Sequence, residues 1–161
     1  MNAIEPRLDA LESRIGELAS TPTAGLTEPD PGSDERWETT QVWAHMAEFV
    51  GYWREQAELI IKDFAGEPVP FGRIKSDEGR LEAIETGRRQ GVADLAEEVR
   101  GGLVDLRLFI DGLSTQDRQA VGVHVTRGEM GIDRLVEVFL LDHLEEHFDQ
   151  LEGLGQRVSS G

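Results

Sequence analysis

The sequence contains no cysteine, and this absence narrows the chemistry open to the protein. A disulfide scaffold, a thiolate metal site and a cysteine nucleophile are all excluded. A transition metal would therefore have to be bound by imidazole and carboxylate groups. Histidine is also scarce, with four in the chain, so a pattern among these four residues is informative.

Positive charge and long apolar runs are scarce as well. Lys and Arg total 16 against 32 Asp and Glu, which gives a formal net charge of -16 over 161 residues. This excess of acid disfavours binding to nucleic acid or to an anionic membrane surface. No apolar stretch approaches the length of a membrane span, and the acidic start does not resemble a secretory signal. We therefore expect a single cytoplasmic domain over residues 1–161.

Apolar residues recur with helical period in four segments, and this pattern predicts an all-α protein. The expected helices cover about residues 3–19, 36–65, 79–113 and 132–154. Irregular connections are expected over 66–78 and 114–131, and neither shows the alternation of a strand. The third segment is interpreted as one helix despite its glycines, because apolar residues continue to recur with helical period across them. The pattern favours a four-helix bundle with a long connection between helices 2 and 3.

Three of the four histidines fall on the apolar faces of these helices. His45 lies between Val42 and Phe49, at spacings of three and four residues. His143 and His147 lie one turn apart on the apolar face of the last helix. Two imidazoles from one helix and a third from a facing helix fit a divalent metal that keeps one position open. A hydrogen-bonded core histidine is the ordinary alternative for any one of them, but three buried imidazoles need a shared partner.

Two segments carry a family resemblance. His45 follows Trp37 by eight residues within WETTQVWAHMAEF, and HVTRGEMGIDRLVEVFLLDHLEEHFDQL ends in an HxxxH helix. This layout resembles the DinB/YfiT-like family (DinB superfamily), which consists of four-helix bundles and includes metal-dependent enzymes. The resemblance implies that His45, His143 and His147 bind zinc, nickel or another divalent metal. The mycothiol-dependent maleylpyruvate isomerase branch typically has a glutamate at the position of His143, so isomerase activity is not implied.

The resemblance also implies a class of reaction. Some family members transfer low-molecular-weight thiols, and a metal held by three neutral imidazoles lowers the pKa of a bound thiol or water. We therefore expect a thiol-dependent S-transferase, or a related hydrolase, acting on a small molecule. The alternative is a non-catalytic, metal-stabilised binding or dimerisation module. Apolar surface left on the first and third helices favours a homodimer.

Several further residues are candidates for supporting roles. Glu48, three residues after His45, and His124, in the loop before the last helix, are the candidate catalytic residues for proton transfer. Gln150 is spaced to hold the free ring nitrogen of His147. Arg127 is expected to form a structural ion pair or to orient an anionic substrate. The tryptophans are expected to pack in the core; they are Trp37, Trp43 and Trp53.

Overall fold

Helices make up most of the computed structural model, which describes residues 4–160. They are α1 (Ile4–Ser20), α2 (Thr39–Asp63), α3 (Glu78–Gly87), α4 (Val92–Asp111), α5 (Thr115–Arg118), α6 (Ile132–Leu135) and α7 (His143–Ser160). A π-helical segment, Val136–Asp142, joins α6 to α7 without a break. Helix α1 packs against α4 and α7, and α2 packs against α3, α4 and α7. Within residues 4–160, no helix is long and apolar enough to cross a membrane.

The apolar stripes expected from the sequence form the core. Helix α1 buries one face, formed by Ile4, Leu8, Leu11 and Ile15. All three tryptophans are buried, as predicted. The inward face of α2 carries His45 beside Phe49, and the inward face of α7 carries His147 beside Phe148. Polar imidazoles are thus held inside an otherwise apolar core.

A small sheet lies in the two segments that were expected to be irregular. Its strands are β1 (Val69–Phe71), β2 (Val121–His124) and β3 (Gly128–Gly131), in the order β1-β2-β3. Strand β1 pairs with β2 in parallel, and β2 pairs with β3 antiparallel. The all-α prediction is therefore wrong in this respect: the protein is mostly helical with a three-stranded sheet. The buried face of β2 presents Gly122 and His124, so no alternation of large apolar residues marks it.

The third predicted helix, 79–113, is two helices, which is a second correction. Helix α3 ends at Gly87, the chain turns, and α4 begins after Gly91, which has an extended backbone as the N-terminal cap. Gly87 lies close to α2, where an added Cβ would be 2.8 Å from the Cβ of Ala44. The apolar seam continues across the break because α3 and α4 each bury a face against α2.

The scarce arginines link helices across the acidic surface. Arg7 of α1 pairs with Asp142 and Glu145, and Arg107 of α4 pairs with two carboxylates of α1. Arg14 pairs with two carboxylates of α7 at 3.0 and 3.3 Å. Each pair is partly exposed, so it stabilises the fold weakly. Together these arginines offset acid–acid repulsion where α1 meets α4 and α7.

Candidate metal centre

Three histidines from two helices meet inside the protein. The Nε2 atoms of His45 and His143 are 3.4 Å apart. One ligand nitrogen from each of His45, His143 and His147 lies within 4.8 Å of the others. His45 and His147 are buried and His143 is half-buried. The fold thus brings together the residues that the spacing selected, in a group that could hold a metal ion, and their ligation of a metal stays a prediction.

Each of the three rings donates a hydrogen bond to an oxygen acceptor that lies away from the converging nitrogens. Nδ1 of His45 donates to Glu48 Oε1 at 3.0 Å, and Nδ1 of His147 donates to Gln150 Oε1 at 2.7 Å, which confirms the predicted role of Gln150. The backbone carbonyl of Phe139 accepts a hydrogen bond from the His143 ring. Nε2 of His147 is buried and has no hydrogen-bond partner among the described residues. A neutral imidazole that donates from Nδ1 presents a bare Nε2 lone pair, which is the form that binds a metal.

Aromatic rings fix the orientation of the imidazoles. Phe49 stacks on His143 with ring centroids 4.0 Å apart and nearly parallel planes. Trp37 contacts His45 edge-on at 5.0 Å and stacks on His147 at 5.9 Å. The sequence indicated Trp37 as a core residue and as part of the family resemblance, but its contact with two histidines of different helices has no local signal. These contacts restrict rotation of the rings and hold water away from them.

Burial keeps the triad neutral. Desolvation lowers the pKa of His147 to about 4. It also lowers the pKa values of His45 and His143 well below the usual range, and the neighbouring histidines add to the shift. The cation of Arg80 acts in the same direction on all three. Because a metal competes with protons for these nitrogens, a neutral triad near pH 7 is ready for ligation.

Glu48 lies on the far side of the His45 ring from the converging nitrogens. Its Oε1 accepts from His45 and also from Arg73 NH2, and burial raises the pKa of this carboxyl group. The guanidinium of Arg73 in turn lies 3.9 Å above the ring of Tyr52. Sequence reasoning missed Arg73, since it belongs to the connection 66–78, which has no periodic pattern. Glu48 thus acts directly on the orientation and basicity of His45, and Arg73 acts on His45 through Glu48.

His124 is apart from the triad. It ends β2, is 6% exposed, and its ring stacks on Phe139 with centroids 4.8 Å apart. Its Nδ1 accepts from the backbone N–H groups of Thr126 and Arg127, each at 3.1 Å. Among the described residues, no ring contact joins it to the other three histidines. His124 and the triad nevertheless line one cavity of about 510 Å³, which extends from the converging nitrogens to Arg127.

Comparisons with known proteins bear on the fold. No protein-family model and no curated protein sequence matches the chain. Among solved structures, the fold is similar to the crystal structure of the mycothiol-dependent maleylpyruvate isomerase, with a TM-score of 0.66 and 15% sequence identity. The match covers 93% of this chain and 61% of the isomerase chain, so this chain spans less than two thirds of its neighbour. This similarity shows that the chain shares the fold of that protein.

Proposed function

We propose that this chain is a metal-binding, four-helix-bundle protein of DinB/YfiT type. In this proposal one divalent ion, zinc or nickel, is bound by Nε2 of His45, His143 and His147. The observation that carries the proposal is the convergence of three imidazoles within 4.8 Å, each held from behind by an acceptor. Three nitrogen ligands leave a coordination position for an exogenous ligand, as in catalytic rather than closed sites.

The activity that fits best is a metal-dependent transfer with a low-molecular-weight thiol, or a related hydrolysis. A bound divalent ion would supply the charge that favours a thiolate or hydroxide near pH 7. Glu48 and Gln150 keep the Nδ1 protons of His45 and His147 in place, so each Nε2 stays available. Glu48 is thus a positioning residue in this proposal. The structural neighbour supports a thiol partner, because that isomerase is mycothiol-dependent.

A second candidate is a metal-stabilised module without catalysis. It is favoured by the depth of the triad, which stacks directly on Phe49 and Trp37 in the core. Dimerisation through α4 would suit this role, since Val104 and Leu108 are 50% and 65% exposed on that helix. The acidic, cysteine-free composition is consistent with either candidate in the cytoplasm.

Metal analysis tests the site itself. Purified protein reconstituted with zinc or nickel should hold about one ion per chain, measured by elemental mass spectrometry after gel filtration. His143→Ala and His147→Ala should each remove a ligand and lower metal affinity by at least about 100-fold, since the loss of a supporting partner alone costs about 10–100-fold. His124→Asn is the control, because His124 lies outside the triad and its variant should load normally. Equal loading of all four proteins, or no loading of the wild type, would contradict the proposal.

Thiol-conjugate formation separates the two candidates. Metal-loaded protein is incubated with mycothiol, bacillithiol or glutathione and a panel of small electrophiles, and conjugates are quantified by mass spectrometry. A transferase should form conjugates faster than the same protein stripped of metal. A module without catalysis should instead show only a metal-dependent rise in melting temperature.

A further inference from the structure

Aromatic side chains other than the three histidines also line the cavity. Trp53 stacks on Phe139 with ring centroids 4.2 Å apart, and His124 stacks on Phe139 at 4.8 Å. We call these three side chains the aromatic wall. All of them line the cavity that also contains the triad nitrogens. An aromatic lining of this kind favours a ligand with an apolar body.

One arginine beside the aromatic wall has no carboxylate partner. The guanidinium of Arg127 lies 5.4 Å from the centroid of Phe139. Among residues 4–160, no carboxylate oxygen lies within ion-pair distance of it, so the expected structural ion pair is not formed. Arg73, which also lines the cavity, is neutralised by Glu48. In a chain with a net charge of -16, an unpaired arginine at a cavity is suited to an anionic ligand.

The aromatic wall also holds N–H donors that lack acceptors. Nδ1 of His124 accepts two backbone N–H groups, so the neutral ring carries its proton on Nε2. That Nε2 atom and the indole Nε1 of Trp53 are buried without a hydrogen-bond partner within the described part of the chain. The two side chains are 6% and 5% exposed. Both atoms are closed to solvent, and an added Cβ at Gly72 would lie 2.7 Å from Nε2 of His124, so the aromatic wall offers a ligand its ring surface and not these N–H groups.

His124 also fixes the backbone at the arginine. The backbone N–H of Arg127 donates to its ring, which ties the turn between β2 and β3 to the aromatic wall. Arg127 itself is exposed and lines the cavity, so its guanidinium is open to a ligand that enters from solvent.

We propose that this end of the cavity binds a small aromatic carboxylic acid, with its apolar body on the aromatic wall and its carboxylate at Arg127. The opposite end of such a molecule would then face the three histidines. This inference deepens the proposed function, because it assigns the class of substrate to the metal site. The binding step itself depends on Arg127 and the aromatic wall, and not on a bound ion.

Calorimetric titration with benzoate and its neutral isostere benzamide tests the inference. Wild-type protein, both metal-free and zinc-loaded, should bind benzoate at least about tenfold more tightly than benzamide. Arg127→Gln should remove that preference and leave the affinity for benzamide unchanged. Arg89→Gln removes the same charge from an exposed site after α3 and is the matched control; it should behave like the wild type. In NMR spectra, benzoate should shift the Trp53 indole N–H, assigned with Trp53→Phe.

The outcomes separate this inference from the metal proposal. Preference for benzoate that persists without metal and disappears in Arg127→Gln supports the inference, even where metal loading fails. Benzoate binding that requires zinc and is unchanged in Arg127→Gln would place the carboxylate on the ion and overturn it. Equal affinity for benzoate and benzamide, or no binding of either, would overturn it as well.

Discussion

The hydrogen bond made by Nδ1 of a histidine determines whether its Nε2 carries a proton or a free lone pair. Glu48 Oε1 and Gln150 Oε1 accept from Nδ1 of His45 and His147, so these rings present Nε2 to the site. In His124 the arrangement is reversed, because Nδ1 accepts two backbone N–H groups and the proton remains on Nε2. The same side chain therefore offers a free lone pair on Nε2 in one place and an N–H group on Nε2 in the other.

The Glu48 carboxylate leads to a prediction at this scale. Glu48→Gln keeps an oxygen for Nδ1 of His45 but removes the charge that makes the ring more basic. We expect zinc affinity to fall about tenfold, measured by competition with a chromophoric chelator. Glu58→Gln removes a similar ion-paired carboxylate from the same helix, where it pairs with Arg54 at the surface, and should leave zinc affinity unchanged. Equal affinities in the two variants would show that Glu48 does not act on the site.

The sequence could select the triad but not its surroundings. His45, His143 and His147 were predictable because helical spacing places each of them on an apolar stripe. The contacts of Arg73 and Arg127 depend on irregular chain segments, for which spacing says nothing about position. The distance from His124 to the triad depends on how the sheet docks on the helices, which is a tertiary property.

Two neighbouring glycines of α4 are expected to differ in how replacement by alanine changes the free energy of unfolding. A Cβ at Gly101 would meet no atom within 4 Å, whereas a Cβ at Gly102 would lie 2.8 Å from Cγ1 of Val50 on α2. Gly101→Ala should therefore raise the free energy of unfolding by about 0.5–1 kcal/mol, through helix propensity. Gly102→Ala should lower it by about 1–3 kcal/mol, since α2 and α4 must move apart. Urea denaturation of both variants measures the difference, and equal shifts would contradict the α2–α4 packing described here.

The secondary-structure elements that were predicted wrongly from the sequence are of two kinds. The strands are short, and helices α3 and α4 both pack on α2. Strands β1 and β2 have three and four residues, and β1 contains a proline at its centre, Pro70. Such strands are too short to show a period of two. The break between α3 and α4 does not interrupt the apolar pattern of the sequence, because both helices pack on α2. The pattern therefore predicts one helix. The long helices were predictable, since each buries a stripe over several turns.

The whole molecule places three neutral imidazoles in the interior of an acidic protein. Their pKa values are lowered by burial, so the unfolded chain, with pKa values near 6.5, binds more protons below that pH than the folded chain does. Stability is therefore fully present above about pH 6.5 and is lost as the pH falls toward the folded pKa values. The raised pKa of Glu48 changes the stability with pH in the opposite direction, but only one carboxyl group contributes to this change and three histidines contribute to the loss.

Metal-free protein should accordingly lose stability between pH 6.5 and about pH 4, the value to which burial lowers the pKa of His147. The contribution of His147 to this loss is on the order of 3 kcal/mol. Urea denaturation in the presence of EDTA at several pH values measures it, and His147→Gln should flatten the dependence because one titrating ring is gone. Saturation with zinc should shift the loss to lower pH, since protons must then displace the ion. A free energy of unfolding that stays constant between pH 7 and pH 4.5 would mean that the three rings titrate normally and are accessible to water.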